Sequence, residues 1–524
     1  MRDLRGASKR DNLGNLPRRD LLRLALAGGA LSASGLILPS GARAATPKKG
    51  GTLLVGCAGG GAKDTLDAHQ AVTYPDIARN FAMYETLATI APDYSFQMLL
   101  ATEITPNKTA DLWTVKLRKG VTFHNGKPLT ADDAIFSIKR IIDPKTPGGG
   151  AAGLADIDAN GLTKIDDLSF SIKLKRANAI IDRELAQYTN SIIPIGYDVK
   201  NPVGTGPFRF GSFTPGDRTH MPAYSGYWRT GLPYVAELVI IDFPDDTARI
   251  NALMGGQVHV IDNVPFAQTV PLGMTPGLKT LVAKTGGWLP FTMRVDQAPF
   301  SDVRVRQAMR LIVDRPQMIA QALSGQGSVA NDLFSPFDPS FNHSLPQRHQ
   351  DLDQAKSLLK AAGHADLAVE LVTGDVAAGL VEAAQVFAQQ AQGAGVTVNV
   401  RKVDSGVFYG DDYLKWTFAQ DFWFTRDYLS QVASCQTPTA SFNETHWSDP
   451  KFEALVSEAL TTVDFAKRTE LIHAAQAIDY DTGGYIIWGF RDQVDGYSSK
   501  IGGLVPSRTG NPLGNYGFAQ MYFV

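Results

Sequence analysis

The sequence predicts an α/β fold divided into two or three domains. An apolar strand at 367–372, a helix at 381–392 and a strand at 396–400 follow one another, which is typical of a parallel α/β unit. The length of 524 residues exceeds that of one ordinary domain. A composition of 44% hydrophobic and 19% charged residues indicates a folded chain with a sizeable core.

Residues 1–44 resemble an export signal. Arg18 and Arg19 precede an apolar run from 24 to 38, and Ala42 and Ala44 supply the small residues of a cleavage site. The twin arginine indicates the twin-arginine pathway, with a general secretory signal as the alternative. Loss of this segment removes eight basic and three acidic residues and leaves a net charge of −7. That acidic balance argues against a nucleic-acid partner.

The first strand of the mature chain is predicted at 52–55 and leads through Cys57 into three glycines at 59–61. These glycines either let the backbone approach a ligand closely or form a flexible turn. Their spacing is not that of a phosphate loop, and no Gly-Lys-Ser/Thr sequence follows, so nucleotide binding is disfavoured.

The stretch 112–144, LWTVKLRKGVTFHNGKPLTADDAIFSIKRIIDP, predicts a strand, a turn and a capped helix. Apolar and polar residues alternate from 113 to 118, as in a half-buried strand. Asn125-Gly126 favours a turn because both residues tolerate positive φ. Thr130 is placed to cap a helix that ends before Asp143-Pro144.

Further elements follow in order. Strands are predicted at 168–174, 238–243 and 257–262, and helices at 247–254, 305–312 and 351–363. Gly204 and Gly206 predict a tight turn before a strand that starts at Pro207. In the helix after residue 299, Arg304, Arg306 and Arg310 are expected to form a solvated face.

Three segments are similar to signatures of the peptide- and nickel-binding family of solute-binding proteins, which serve ATP-binding-cassette importers. They are LRKGVTFHNGKPLTADDAIFSIKR at 117–140, PVGTGPFRF at 202–210 and PFSDVRVRQAMRLIVDRPQMIAQAL at 299–323, in the family's order. The resemblance implies a two-lobed periplasmic-binding-protein fold (type II, cluster C-like). Lobe I would comprise 46–82, 200–278 and 486–524, a small inserted domain 83–199, and lobe II 279–485. Ligands bind in the cleft between such lobes.

The resemblance also implies a ligand-binding aspartate. Peptide-binding members carry an aspartate that pairs with the α-amino group of the ligand, and Asp427 stands at that position. Phe424 replaces the family's Trp, and Arg426 replaces a small residue. Three alternatives are open for Arg426: it neutralises Asp427, binds a ligand carboxylate or phosphate, or extends into solvent.

Aromatic residues surround this position. Strand alternation allows only one face of the run Phe422, Trp423, Phe424 and Thr425 to line a cleft. Trp288 and Trp488 lie near predicted lobe boundaries, where they either contact the ligand or belong to the core. The expected ligand-binding set is Asp427, Arg426, Phe424, Thr425, Trp423, Cys57, Trp288 and Trp488.

The sequence offers little support for an enzyme. The nine histidines show no zinc-binding spacing, and Ser357-Leu358-Leu359-Lys360 lies in an amphipathic helix without the partner motifs of an acylating enzyme. We expect no metal and no cofactor. Cys57 and Cys435 could form one disulfide in an exported protein, but a single pair does not make a framework.

These observations predict a monomeric periplasmic protein that captures a small solute, by default a short peptide, and delivers it to the permease of an ATP-binding-cassette importer. Two alternatives remain. The same fold could bind an opine, an amino-sugar conjugate or a metal chelate, or it could present a ligand to a signalling receptor.

Overall fold

The computed structural model describes residues 47–524, which form one compact unit. The predicted export signal lies outside these residues. Three sheets organise the described chain, and each has its own hydrophobic core. We call the part built on the largest sheet lobe I, the part built on the five-stranded sheet lobe II, and the part built on the four-stranded sheet the small domain.

Lobe I contains an eight-stranded mixed sheet. Its strands, in spatial order, are Leu278–Trp288, Gly489–Ser498, Val260–Ile261, Thr52–Ala58, Glu237–Phe243, Arg218–Pro222 and Ser212–Thr214, and Gly327–Val329 pairs with the second of them. Its helices are Tyr74–Met83, Asp246–Met254, Thr269–Met274 and Pro512–Tyr516. Two further short strands, Ile501–Gly502 and Tyr522–Phe523, pair with each other.

Lobe II contains the predicted parallel unit. Strands Ala368–Gly374 and Thr397–Val403 pair in parallel, and Leu380–Gln392 is the helix between them. The full sheet runs Thr397–Val403, Ala368–Gly374, Phe418–Gln420, Phe291–Met293 and Tyr485–Ile486. Its other helices are Val303–Ile312, Arg315–Ala322, Leu352–Ala361, Ser405–Phe408, Tyr428–Cys435, Pro450–Thr461 and Phe465–Thr482.

The small domain contains the predicted strand and capped helix. Its sheet runs Ala101–Pro106, Leu112–Leu117, Ser169–Leu174 and Ile157–Asp166, beside the hairpin Ala88–Ile90 and Phe96–Met98 and the helices Ala131–Ile141 and Ile181–Glu184. Thr130 begins the first helix with a capping box, in which the Asp133 carboxylate accepts the Thr130 backbone N–H at 3.1 Å. This reciprocal bonding fixes where the helix starts.

The structure places the predicted boundary between the lobes differently. Strands Leu278–Trp288 and Gly327–Val329 belong to the lobe I sheet, although the sequence assigns residues after 278 to lobe II. The chain crosses between the sheets after Trp288 and between Ile486 and Gly489, and in between it returns to the lobe I sheet for the short strand Gly327–Val329. The long strand at 278 stays with lobe I because it pairs along its whole length with Gly489–Ser498.

The expectation of a solvated arginine face on Val303–Ile312 is wrong for two of its three arginines. Arg304 is exposed, but Arg306 and Arg310 are buried and donate to backbone carbonyls. Arg310 donates through Nε and Nη1 to the carbonyls of Tyr485 and Tyr480, each at 2.9 Å. Tyr480 lies in the last turn of the helix Phe465–Thr482, and Tyr485 begins the strand Tyr485–Ile486. Arg310 therefore satisfies carbonyls that lack a donor within their own element.

This difference within one helix gives a stability prediction. We expect Arg310→Ala to lower the free energy of unfolding by about 3 kcal/mol or more, because two buried carbonyls lose their donor and a cavity remains. The matched control, Arg304→Ala, removes an exposed side chain and should cost about 1 kcal/mol or less. Urea unfolding of both variants measures the difference, and equal losses would contradict this role of Arg310.

Candidate functional site

A cavity of about 740 Å³ lies between the lobes. Its walls come from the end of the first strand and the helix Tyr74–Met83 in lobe I, from residues 376–378 and 422–427 in lobe II, and from residues 89–94 and 186–188 in the small domain. Residues 491–494 of the crossing strand, 263–266 and 509–511 also contribute to it. This volume lies within the range of small-ligand sites in proteins.

Lobe I presents bare backbone to the cavity at the end of its first strand. Gly59 and Gly60 have φ of +83° and +96°, and a Cβ at Gly60 would lie 2.7 Å from the Cβ of Asp242. Glycine is therefore required at Gly60 both by its backbone conformation and by its close packing. The preceding Ala58 N–H donates to Asp262 at 2.7 Å and anchors this strand end.

Cys57 does not reach the cavity, contrary to expectation. Its side chain is fully buried in the lobe I core, in the cluster that also contains residues of helix Tyr74–Met83. The cavity is lined instead by the three residues that follow it, 58–60. Cys435 is buried in lobe II, and both thiols are free.

The segment 422–427 lines the lobe II side of the cavity. Phe422, Phe424, Thr425, Arg426 and Asp427 all contribute to it, and Phe424 is 47% exposed. Thr425 Oγ1 accepts the Gly286 N–H at 2.9 Å, which ties this segment to the end of the long lobe I strand.

Three predicted tryptophans belong to the core instead. Trp423 points away from the cavity and stacks on Trp288, with ring centroids 6.0 Å apart. Their backbones also pair across a β-bridge, so strand geometry turns both rings inward. Trp488 is fully buried in the main lobe II core. For Trp288 and Trp488 the core alternative is therefore the observed one.

Asp427 has an unusual role for a residue at the N-cap position of a helix. It precedes Tyr428–Cys435, yet its side chain does not cap that helix. The Tyr428 N–H donates instead to Asp338 at 2.7 Å. The Asp427 carboxyl is thereby left to the cavity, where its side chain is 15% exposed.

The cation nearest to this carboxyl comes from the small domain. Arg183 Nη1 lies 3.6 Å from Asp427 Oδ2, longer than a charge-assisted hydrogen bond, while Oδ1 has no hydrogen-bond partner within residues 47–524. Burial raises the pKa of Asp427 to about 7, against the opposing attraction of Arg183. The next residue, Glu184, accepts a hydrogen bond from Ser430 Oγ. The short helix Ile181–Glu184 of the small domain therefore contacts lobe II directly.

Arg426 does not pair with Asp427. It is exposed, donates to Ser434 Oγ at 2.9 Å and lies 5.8 Å above the Trp423 ring, while also contributing to the cavity wall. Arg426 therefore does not neutralise Asp427. The cation that lies next to the Asp427 carboxylate is Arg183.

Sequence reasoning missed two residues, Arg183 and Arg491. Arg183 lies in a four-residue helix that no strong pattern announces. Arg491 lies on the crossing strand and lines the cavity. Neither position has a local signal, because Arg491 lines the cavity and Arg183 approaches Asp427 only through contacts between distant segments.

Among residues 47–524, no cluster of three or more His, Cys, Asp or Glu side chains could hold a metal ion. Over the same residues, no helix is both long and apolar enough to cross a membrane.

Comparisons with known proteins place this geometry in a family. Residues 95–437 match "Bacterial extracellular solute-binding proteins, family 5 Middle". A dipeptide-binding protein of Escherichia coli K12 is 26% identical over 459 residues, covering 78% of this chain and 83% of the relative. The glutathione-binding protein GsiB of Pectobacterium atrosepticum is 26% identical over 469 residues, covering 84% and 88%.

A solved structure has the same fold. The binding protein AgaA from A. tumefaciens R10, in complex with agropinic acid, aligns with a TM-score of 0.74 at 22% identity and covers 90% of this chain and 99% of its own. The predicted two-lobed fold and family are confirmed. The chain belongs to the family 5 bacterial extracellular solute-binding proteins, which are not enzymes but the ligand-binding components that supply ATP-binding-cassette importers.

Proposed function

We propose that the solute is a short peptide with a free amino group, and that Asp427 binds this group in the inter-lobe cavity. The observation that carries the proposal is the Asp427 carboxyl: it faces the cavity, does not cap its helix, and has one oxygen without a hydrogen-bond partner in the described chain. A buried acceptor without a partner is costly, and an ammonium group would satisfy it.

The neighbouring groups support a peptide-sized ligand. Phe424 offers an exposed apolar ring beside the carboxyl, and Gly59 and Gly60 offer close access to backbone. Two relatives are named for dipeptides and for glutathione, which is consistent with this class. Binding in the cleft would then draw the lobes together and exclude water.

A second candidate is a solute without an amine. Arg183 already stands opposite Asp427 and supplies part of the positive charge that a ligand amine would bring. The structural relative AgaA was solved with agropinic acid, so the fold also accepts other ligand classes. The 3.6 Å separation of Arg183 from Asp427 favours the peptide, because it leaves the pair incomplete.

We further propose that the protein reaches the periplasm by the twin-arginine pathway and loses residues 1–44. The support is Arg18-Arg19, the apolar run and the small residues at 42 and 44.

The first test is thermal unfolding of protein that has been unfolded and refolded to remove bound ligand. A peptide at about 1,000 times its dissociation constant should stabilise the fold by about 4 kcal/mol. We expect Asp427→Ala to weaken binding of free-amine peptides about 100-fold or more, because it removes one partner of a buried ion pair. The matched control Asp351→Asn, at an exposed helix cap of lobe II, should bind as the wild type does.

N-acetylated peptides provide the complementary control, since they should bind the wild type weakly and show little further loss in Asp427→Ala. Equal affinity of wild type and Asp427→Ala for the free peptide would remove Asp427 from the site.

The dependence of affinity on pH gives a separate prediction. Ligand binding needs an ionised Asp427, whose pKa is raised to about 7 by burial, and a protonated amine, whose pKa is about 8. Affinity should therefore peak between about pH 7 and 8 and fall roughly tenfold per unit well below that range. Calorimetric titration across pH measures this profile, and Asp427→Asn should remove its acidic limb.

The same raised pKa affects the ligand-free protein in the opposite direction. Protonated Asp427 favours the folded state, so its contribution to stability is present below the unfolded pKa of about 4 and is lost as pH rises through about 7. A difference in urea unfolding between wild type and Asp427→Asn should grow across this window.

Export is testable independently of binding. Replacing Arg18 and Arg19 by lysines should leave precursor in the cytoplasm and abolish the periplasmic form, because the translocation signal needs both arginines. Cell fractionation with N-terminal sequencing of the secreted chain measures both export and the cleavage position. Unchanged export of the double variant would favour the general secretory route.

A further inference from the structure

We infer that Arg491 is a specificity-determining residue that binds an acidic group of the ligand, so that the preferred solute is a peptide with a side-chain carboxylate. The inference rests on the proposed function and extends it from peptides to acidic peptides. It comes from the charges around the cavity and from the position of Arg491 on the strand that joins the lobes.

Every carboxylate that lines the cavity has a basic partner. Asp492 lies 2.8 Å from Lys284 Nζ, Asp246 lies 2.9 Å from Arg249, and Asp427 lies 3.6 Å from Arg183. Neither lining arginine has an acidic partner within residues 47–524. Arg426 makes one hydrogen bond, to Ser434, whereas the Arg491 guanidinium makes none in the same part of the chain. The cavity wall therefore carries two arginines that form no ion pair in the described chain.

The surroundings of Arg491 leave its side chain uncovered. In the lobe I sheet it pairs with Gly287 on one side and with Gly327 on the other, so neither neighbouring strand places a side chain over it. A Cβ at Gly287 would lie 3.4 Å from Arg491 Nε, at the limit of ordinary contact. Glycine at 287 therefore keeps space for the guanidinium, whereas a Cβ at Gly327 would instead meet Leu323 and Ile319.

Arg491 and Asp427 both line the cavity. The backbone at 286–288 separates them: Gly287 pairs with Arg491, Gly286 donates to Thr425, and Trp288 bridges to Trp423. Thr425 precedes Asp427 by two residues and also lines the cavity. One small ligand could therefore place an ammonium group at Asp427 and a carboxylate at Arg491.

The chemistry of the guanidinium fits this role. Its planar donors match a carboxylate in a bidentate pair, which a single ammonium cannot do. An arginine that served only the fold would be expected to bond neighbouring carbonyls, as Arg310 does in lobe II. Arg491 has no such bonds in the described chain, so its charge is available to a ligand.

The test uses four ligands that differ in one charge at a time: Ala-Glu, Ala-Gln, N-acetylglutamate and N-acetylglutamine. Calorimetry and thermal unfolding of the stripped protein measure affinity. We expect Ala-Glu to bind at least about tenfold more tightly than Ala-Gln, and N-acetylglutamate more tightly than N-acetylglutamine. Arg491→Gln should reduce both ratios to about one, and Arg491→Lys should restore part of the preference.

A matched control is Arg401→Gln, which removes an exposed arginine from a lobe II strand away from the cavity. It should retain the preference for acidic ligands. Circular dichroism of all three variants verifies folding, and Arg491→Lys keeps the test valid if Arg491→Gln does not fold.

Equal binding of Ala-Glu and Ala-Gln by the wild type would overturn the inference while leaving peptide capture intact. Binding of N-acetylglutamate but of neither dipeptide, with loss in Arg491→Gln, would support Arg491 and contradict the amine site at Asp427. An acidic preference that survives in Arg491→Gln would exclude Arg491 as its cause. The absence of any shift with all four ligands would overturn both proposals.

Discussion

The strand Gly489–Ser498 pairs with three neighbours in lobe I and begins only three residues after a strand of the lobe II sheet. Pairing with Leu278–Trp288 extends along nearly its whole length, so the chain leaves lobe I after Trp288 and returns at Gly489 on neighbouring strands. The geometry of the cavity depends on this pairing, because it fixes Arg491 and Asp492 in the wall and brings residues 423–425 against 286–288.

Buried charge reinforces the crossing. Asp332 accepts the Ile487 N–H at 3.0 Å and lies 2.6 Å from Arg315 Nη2. Burial opposes ionisation of Asp332, but the surrounding arginines hold its pKa below the usual value. In lobe I, Arg79 is fully buried and lies 2.6 Å from Asp242, whose side chain packs against Gly60 at the cavity. Both interior arginines are paired because an isolated buried charge would be costly.

The interior arginines and Arg491 differ in whether the protein itself supplies their hydrogen-bonding or ionic partners. Core arginines reach carbonyls or carboxylates of the protein, whereas the cavity arginines have no acidic partner in the described chain. The asymmetry at Asp427 is similar, since its second oxygen lacks a partner and its nearest cation stands at 3.6 Å. Interactions left incomplete by the protein are available to a solute, and they favour a ligand that carries both signs of charge.

Local patterns in the sequence determined much of the architecture. The capping box at Thr130, the parallel unit around Leu380–Gln392 and the family signatures were all recognisable, because each depends on residues close together in the chain. The alternation at 422–425 also predicted that only one face could line the cleft. Phe422 and Phe424 line the cavity and Trp423 turns inward, but Thr425 departs from the alternation and lines the cavity too.

Tertiary structure alone decided the remainder. The sequence could not decide whether Cys57, Trp288 and Trp488 contact the cleft or belong to the core. The packing of the folded chain places all three in the core. Arg310 and Arg304 share one helix, yet only packing against Tyr480 and Tyr485 buries the first. Arg183 meets Asp427 across 244 positions of sequence. Such contacts carry no local signature, since the free energy of burying or pairing a charge depends on neighbours that only the folded chain assembles.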